Sequence, residues 1–193
     1  MNILILSPTP ERLTPTILST GDTLVPDYMH GPDLAISYNH PRLVTPAQLV
    51  LCPHINLHIS LLPYNRGADP NFWSWFDGTP KGVTVHRMNA GLDTGPLLAQ
   101  REAYWTSSPL TLATTYQELQ SDLLKLFALE WTWLRTLPEG VPQDGAHSTY
   151  HRRSDLHPRL FNLLPHGWDT PVSIVEEMGR EYHCGLTHTG VPH

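Results

Sequence analysis

The sequence predicts an α/β domain: a mostly parallel sheet flanked by helices, with an edge hairpin and a short irregular C-terminal extension. Three observations predict it. Asn2 to Ser7 is an apolar, branched run stopped by Pro8 and Pro10, the pattern of a buried parallel strand. Two further runs, Asp33 to Tyr38 and Ile55 to Ser60, follow with a helix signal between them. A stripe of apolar residues at helical spacing then runs from Leu112 to Leu134, long enough to cover such a sheet. The chain has 193 residues and an apolar share of 40%, which suits one domain with one core.

Residues 10–35 hold four prolines, so a full strand–helix–strand unit would be cramped there. Thr45 to Leu51 reads as a short helix with Pro46 in its first turn. After the strand Ile55–Ser60 comes a loop, Tyr64 to Gly67, and then a helix over 69–76. Gly82 to Met88 alternates with period two, Asn89 to Gly91 turns, and Pro96 to Arg101 is extended again. That is a long-loop hairpin at a sheet edge.

Ser108, a good N-cap, and Pro109 in the first turn start a helix expected to reach Leu137. Leu112, Tyr116, Leu119, Leu123, Phe127 and Leu134 form its core stripe; Trp131 and Trp133 read as packing residues. Pro138 and Gly140 end it, and the composition turns loop-rich, with a short helix over 172–178. Residues 1–137 are therefore the expected main domain, of a Rossmann-like fold, and 138–193 an extension that is not an independent domain. Cys184, His183 and His188 read as a solvated end.

Composition excludes several classes. Net charge is −6, so a nonspecific nucleic-acid partner is not expected. No apolar run approaches the roughly 20 residues of a membrane helix. The first apolar run is too short for a secretory signal, so a cytoplasmic protein is expected. Two cysteines make no disulfide framework. His54 and His58 share a strand face but stand about 13 Å apart, too far for one metal, and no metal is expected. A homodimer through exposed apolar helix residues stays open.

Chemistry concentrates in residues 54–101. Asn56, His58 and Ser60 alternate on one strand face, while Leu57 and Ile59 point into the core. Three polar groups there are costly to bury without a purpose. At the carboxyl end of an α/β strand they sit where such sheets bind ligands. Asn, His and an acid together stabilise an oxyanion, move a proton and tune the imidazole. Asp93, between Gly91 and Gly95 in the hairpin loop, is the best acid. His86 shares a face with Thr84 and reads as hairpin support.

The ordered motifs Asn56-Leu-His58-Ile-Ser60-Leu-Leu-Pro63, Arg66-Gly67, Gly82-Val-Thr-Val-His86, Leu92-Asp93-Thr-Gly95 and Gln100 resemble the folate-dependent formyltransferase family. The family includes glycinamide ribonucleotide, methionyl-tRNA and sugar N-formyltransferases, and formylation domains of peptide synthetases. Ile59 stands where the family usually has Pro. The resemblance implies a catalytic trio of Asn56, His58 and Asp93. It implies 10-formyltetrahydrofolate as donor and a primary amine as acceptor. It places the folate around Tyr38, Asn39, His40 and Leu43 and the loop with Asn89, Gly91 and Leu92.

Ser60, Arg66 and Trp73 are candidate acceptor contacts, though each also has an ordinary structural reading. Thr149-Tyr150-His151-Arg152-Arg153 resembles a segment that follows the catalytic core in sugar N-formyltransferases. Arg152 and Arg153 would fork onto a diphosphate. A nucleotide-linked amino sugar is therefore the expected acceptor. The alternatives are an aminoacyl group on a carrier protein, hydrolysis of the formyl-folate, and a non-catalytic folate-binding module.

Overall fold

A computed structural model describes residues 1–106 and 108–189. Residues 190–193 of the expected extension, and the side chain of His188, lie outside what is described. The sheet has six strands: β1 (Asn2–Leu6), β2 (Thr23–Val25), β3 (Leu34–Tyr38), β4 (His54–His58), β6 (Gly82–Arg87) and β7 (Leu97–Glu102). A two-stranded sheet pairs β5 (Arg66–Gly67) with β8 (Tyr150–His151). The large sheet runs β2-β1-β3-β4-β6-β7; the first three pairings are parallel and the last two antiparallel. The expected hairpin is β6–β7, with β7 at the edge.

The cramped segment does complete a parallel unit. A short helix, α1 (Thr14–Leu18), links β1 to β2, which the proline count alone does not predict. α2 (Pro46–Leu49) begins at a Thr45 capping box with Gln48. α3 (Pro70–Phe76) matches the expected helix, and every residue in it is buried.

The long helix, α4 (Leu112–Leu134), spans its apolar stripe and is shorter at both ends than the helix expected from Ser108 to Leu137. Thr111, not Ser108, is its N-cap, accepting from the Thr114 N–H at 3.1 Å. At the other end Leu137 takes φ 58°, which no α-helix continues through. α4 packs across β4, β6 and β7. Ile36, Tyr38, Ile55, Leu57, Val83 and Val85 meet Leu119, Leu123, Phe127 and Trp131 in the main core. Tyr116 is not part of that core; it is 43% exposed.

The extension is less irregular than its composition predicts. After a single-turn α5 (Arg153–Leu156), α6 (Val172–Thr189) has 18 residues, not the seven expected. Leu156, Leu164, Val172 and Val175 close a second core against Phe72, Trp73, Trp75 and Phe76 of α3. α6 approaches α3 so closely that a Cβ on Gly179 would lie 1.7 Å from the Phe76 carbonyl oxygen. Only glycine permits that contact. No helix among the described residues is long and apolar enough to cross a membrane.

Candidate active site

The chain leaves β3 and β4 into one cleft of about 880 Å³, lined by residues 39–44, 56–59, 67–72, Leu92 and Asp93. Period-two alternation puts Asn56 and His58 of β4 on the face away from α4. Antiparallel pairing then sets His86 of β6 opposite Asn56, and Thr84 opposite His58. The hairpin loop brings back Asp93, in a left-handed conformation (φ 51°) that Asp tolerates better than most residues.

These groups meet. Asn56 Nδ2 donates to Asp93 Oδ1 at 3.2 Å, and the Gly67 N–H donates to Oδ2 at 2.9 Å. His86 Nε2 lies 3.4 Å from Oδ1, and His58 Nδ1 lies 3.9 Å from Oδ2. Burial pushes the Asp93 carboxyl up, but His58, His86 and the Gly67 N–H together hold it well below the usual carboxylate range. Asp93 is thus a fixed negative charge at neutral pH.

The carbonyl partners set the imidazole tautomers, because a carbonyl oxygen only accepts. His58 Nε2 faces the Asn65 carbonyl at 3.1 Å, so Nε2 carries the hydrogen and Nδ1 is the basic nitrogen beside Asp93. His86 Nδ1 faces its neighbour Arg87 carbonyl at 2.7 Å. In the neutral ring Nε2 then accepts from Asn56 Nδ2 at 3.3 Å, and in the protonated ring it donates to Asp93 Oδ1 instead. His86 is therefore more than hairpin support: it shares the Asn56 amide with Asp93.

Long-range bonds hold the frame. Gln143 Nε2 donates to the Asp93 and Gly95 carbonyls at 2.9 and 2.7 Å, while its Oε1 accepts from the Arg66 guanidinium. Asn65, fully buried at φ 54°, is tied to Thr149 and Thr79. Gln100 Nε2 donates to the Leu62 carbonyl and to Thr84 Oγ1, bracing the turn after β4.

Around the cleft, Asn39, His40, Leu43, Leu92 and Arg153 line the space. Several other sequence candidates are placed elsewhere. The Tyr38 ring is fully buried, its hydroxyl donating to Gln120 at 2.7 Å. Asn89 caps its own loop, accepting from the Gly91 N–H and Thr94, and neither Asn89 nor Gly91 reaches the wall. β4 ends at His58, so Ser60 leaves the strand face and donates to the Tyr64 carbonyl at 2.8 Å.

The remaining acceptor candidates divide. The Arg66 guanidinium is held by Gln143. Trp73 is 5% exposed and stacks on His151 at 3.8 Å and 4°, facing the second core and not the cleft. Arg152 stays outside the lining while its neighbour Arg153, the first residue of α5, enters it. Gln143 carries no sequence signal, since it lies in a loop with no periodicity. Asn65 and His86 carry one only in their motif positions. Among the described residues, no three His, Cys, Asp or Glu gather as metal ligands.

The model of the formyl transferase family matches residues 22–126. The methionyl-tRNA formyltransferase of Granulibacter bethesdensis is 39% identical over 128 residues, which are 65% of this chain and 38% of that protein. The methionyl-tRNA formyltransferase of Synechococcus elongatus is 34% identical over 188 residues, covering 84% of this chain and 54% of that one. The chain spans 29% to 56% of the length of such curated relatives.

Among solved structures, the formyltransferase PseJ of Anoxybacillus kamchatkensis was determined with UDP-4,6-dideoxy-4-formamido-L-AltNAc and tetrahydrofolate. It is 35% identical, superposes with a TM-score of 0.82, and the match covers 93% of this chain and 100% of that one. With a family match over more than half its length, and with that family's ordered motifs converging on one cleft, this chain belongs to the formyl transferase family.

Proposed function

We propose that this chain moves a formyl group from 10-formyltetrahydrofolate to the primary amine of a nucleotide-linked amino sugar. The observation that carries the reading is the convergence of Asn56, His58 and Asp93 at the carboxyl end of β4, inside one large cleft. The cleft suits a folate and a second substrate, since ligand pockets usually hold roughly 300–1,000 Å³. Leu43, Val44, Met88 and Leu92 give it apolar walls, and the backbone of 39–44 supplies polar groups for a pterin. When bound, the folate supplies the formyl group.

The chain's residues divide the work. Asn56 Nδ2 has two hydrogens, shared in this structure between Asp93 and His86. Turning one to the formyl oxygen places a donor where negative charge develops. His58 Nδ1 would take a proton from the attacking amine and return it to the folate nitrogen as that nitrogen's bond to the formyl carbon breaks. Asp93 remains ionised and stabilises the resulting imidazolium. A carboxylate held so far below neutrality is a weak base, which favours His58 as the proton carrier.

Arg153 in the cleft wall supports a phosphate-bearing acceptor. The likeness to a formyltransferase solved with a UDP-linked formamido sugar supports the sugar class. The curated relatives named for methionyl-tRNA favour a second reading, an aminoacyl acceptor. Against a polyanionic acceptor stands the net charge of −6. The test is formyl transfer from 10-formyltetrahydrofolate to a panel of nucleotide-linked 3-amino and 4-amino sugars, read by acceptor mass. A formylated sugar supports the proposal. Formylation of methionyl-tRNA alone transfers it to the second reading, and formate release without acceptor makes the protein a hydrolase.

A further inference from the structure

The cleft contains a second acid, Asp69, outside the trio. It immediately precedes α3 with φ 52°, a left-handed conformation uncommon for a residue with a side chain. Aspartate at that place ordinarily accepts from the first N–H groups of its helix, yet Asp69 makes no such bond. Its Oδ2 is buried without a hydrogen-bond partner. Buried carboxylate oxygens are rarely left so, because desolvation without a donor is costly. Burial pushes its carboxyl up, and His157 and Arg153, both from the segment after α4, act against that rise. Asp69 therefore belongs to the wall shared by α3 and that segment, beside Arg153. The stretch 39–44, which offers backbone groups to a pterin, follows β3 instead.

We propose that Asp69 reads the acceptor: its carboxylate accepts a hydrogen bond from an O–H or N–H group on the acceptor's sugar ring, while Arg153 takes the adjoining phosphate. This rests on the nucleotide-linked amino-sugar reading above and names the residue that distinguishes the sugar from its nucleotide. The chemistry is complementary. A carboxylate only accepts and a guanidinium only donates, so together they select a ligand with a donor and an anion close together. A sugar ring bearing hydroxyl or amino groups next to a diphosphate meets both demands. A bare nucleoside diphosphate has the anion and its own ribose and base donors but lacks the sugar ring beyond the phosphate, which is the group Asp69 would read.

The experiment titrates the full chain and its Asp69→Asn and Asp69→Ala variants calorimetrically with three probes: tetrahydrofolate, UDP, and a UDP-linked 4-amino-4,6-dideoxy sugar. Asp69→Ala is expected to keep its affinity for tetrahydrofolate and UDP. Its affinity for the amino sugar should fall about tenfold or more, as when a buried hydrogen bond to a charged group is lost. Asp69→Asn, which retains one acceptor oxygen, should fall less. The melting temperature of Asp69→Ala should stay level or rise, since the change removes an unpaired buried carboxylate.

Unchanged amino-sugar affinity in Asp69→Ala overturns the inference. So does a parallel loss of tetrahydrofolate affinity, which would assign Asp69 to the cofactor. Loss of all three affinities with a lowered melting temperature overturns it in favour of a structural role. Should the wild type bind neither UDP nor the UDP sugar, the amino-sugar reading itself fails and takes this inference with it. That outcome is distinct from a wild type that binds both and a variant that discriminates equally well.

Discussion

The two walls of the cleft are held by different forces. On one side, Asn56, His58, His86 and Asp93 are fixed by strand register and hydrogen bonds of 2.9 to 3.3 Å. On the other, α3 and the C-terminal segment are held mainly by apolar burial, with Phe72 and Phe76 packed on Leu156, Leu164 and Val175. Hydrogen bonds are directional, so the first wall holds its groups to a fraction of an ångström. Burial is non-directional, so the second can change its lining residues without losing its attachment. The contrast fits the proposed division of labour, with reaction chemistry on the sheet and acceptor recognition on a hydrophobically docked shell. Gln143 spans the division, reaching Asp93 from beyond α4.

The largest expected effect strikes the polar wall. Asp93→Asn should lower kcat by about a thousandfold, the scale of losing an electrostatic partner in a proton transfer, while tetrahydrofolate still binds. Its pH dependence has a definite sign. The folded carboxyl lies below its unfolded value of about 3.9, so its contribution to stability is complete above that pH and lost as pH falls beneath it. Acid unfolding of Asp93→Asn should therefore be less steep than that of the wild type. A wild-type acid limb in kcat between pH 5 and 8 would belong to a group other than Asp93.

The apolar wall should break through geometry. Gly179→Ala drives a methyl group into the Phe76 carbonyl and should destabilise the chain by about 3 kcal/mol, measured by urea denaturation. If the two walls are separable, the acceptor KM rises in this variant while the folate KM holds. Equal loss of both would show that the second core supports the whole cleft.

Gln143→Ala tests the link between the walls. It removes two bonds to the Asp93 loop and the anchor of Arg66, at about 1–2 kcal/mol, and kcat should fall about tenfold through a loosened Asp93. Gln143→Glu should not rescue it, because a carboxylate cannot donate to the two carbonyls. The smallest effect is expected at His183, half exposed and 3.3 Å from Asp77, which His151 also approaches at 2.8 Å. His183→Ala should cost no more than about 0.5 kcal/mol. A larger loss would mean that polar contacts hold the second wall as well.

Local pattern already carried most of the sheet and the heart of the site. Alternation in 54–60 and 82–88 told which side chains share a face, because the strand period is a property of the backbone alone. The spacing of Asn56, His58 and Asp93, with the motifs around them, pointed to the chemistry. Local pattern failed where a distant partner decides. Ser60 alternates correctly with His58, but β4 stops before it and its hydroxyl turns to Tyr64. Trp73 is a candidate acceptor contact by sequence, but His151, far along the chain, stacks on it. Ser108 and Pro109 read as a helix start, yet Thr111 has the partner that makes the cap.

Composition, periodicity and ordered motifs thus carried the α/β class and the edge hairpin, and pointed to the proposed trio. These follow from interactions within a few positions along the chain. Folding decided the rest: that loop-rich residues beyond Leu137 return to build a wall, that Gln143 grips the Asp93 loop, that His86 shares the Asn56 amide, and that Arg153 enters the cleft while Arg152 does not. Each depends on contacts between residues distant in sequence, whose free energy is gained only when the second core and the sheet are packed together. No local periodicity encodes such a meeting.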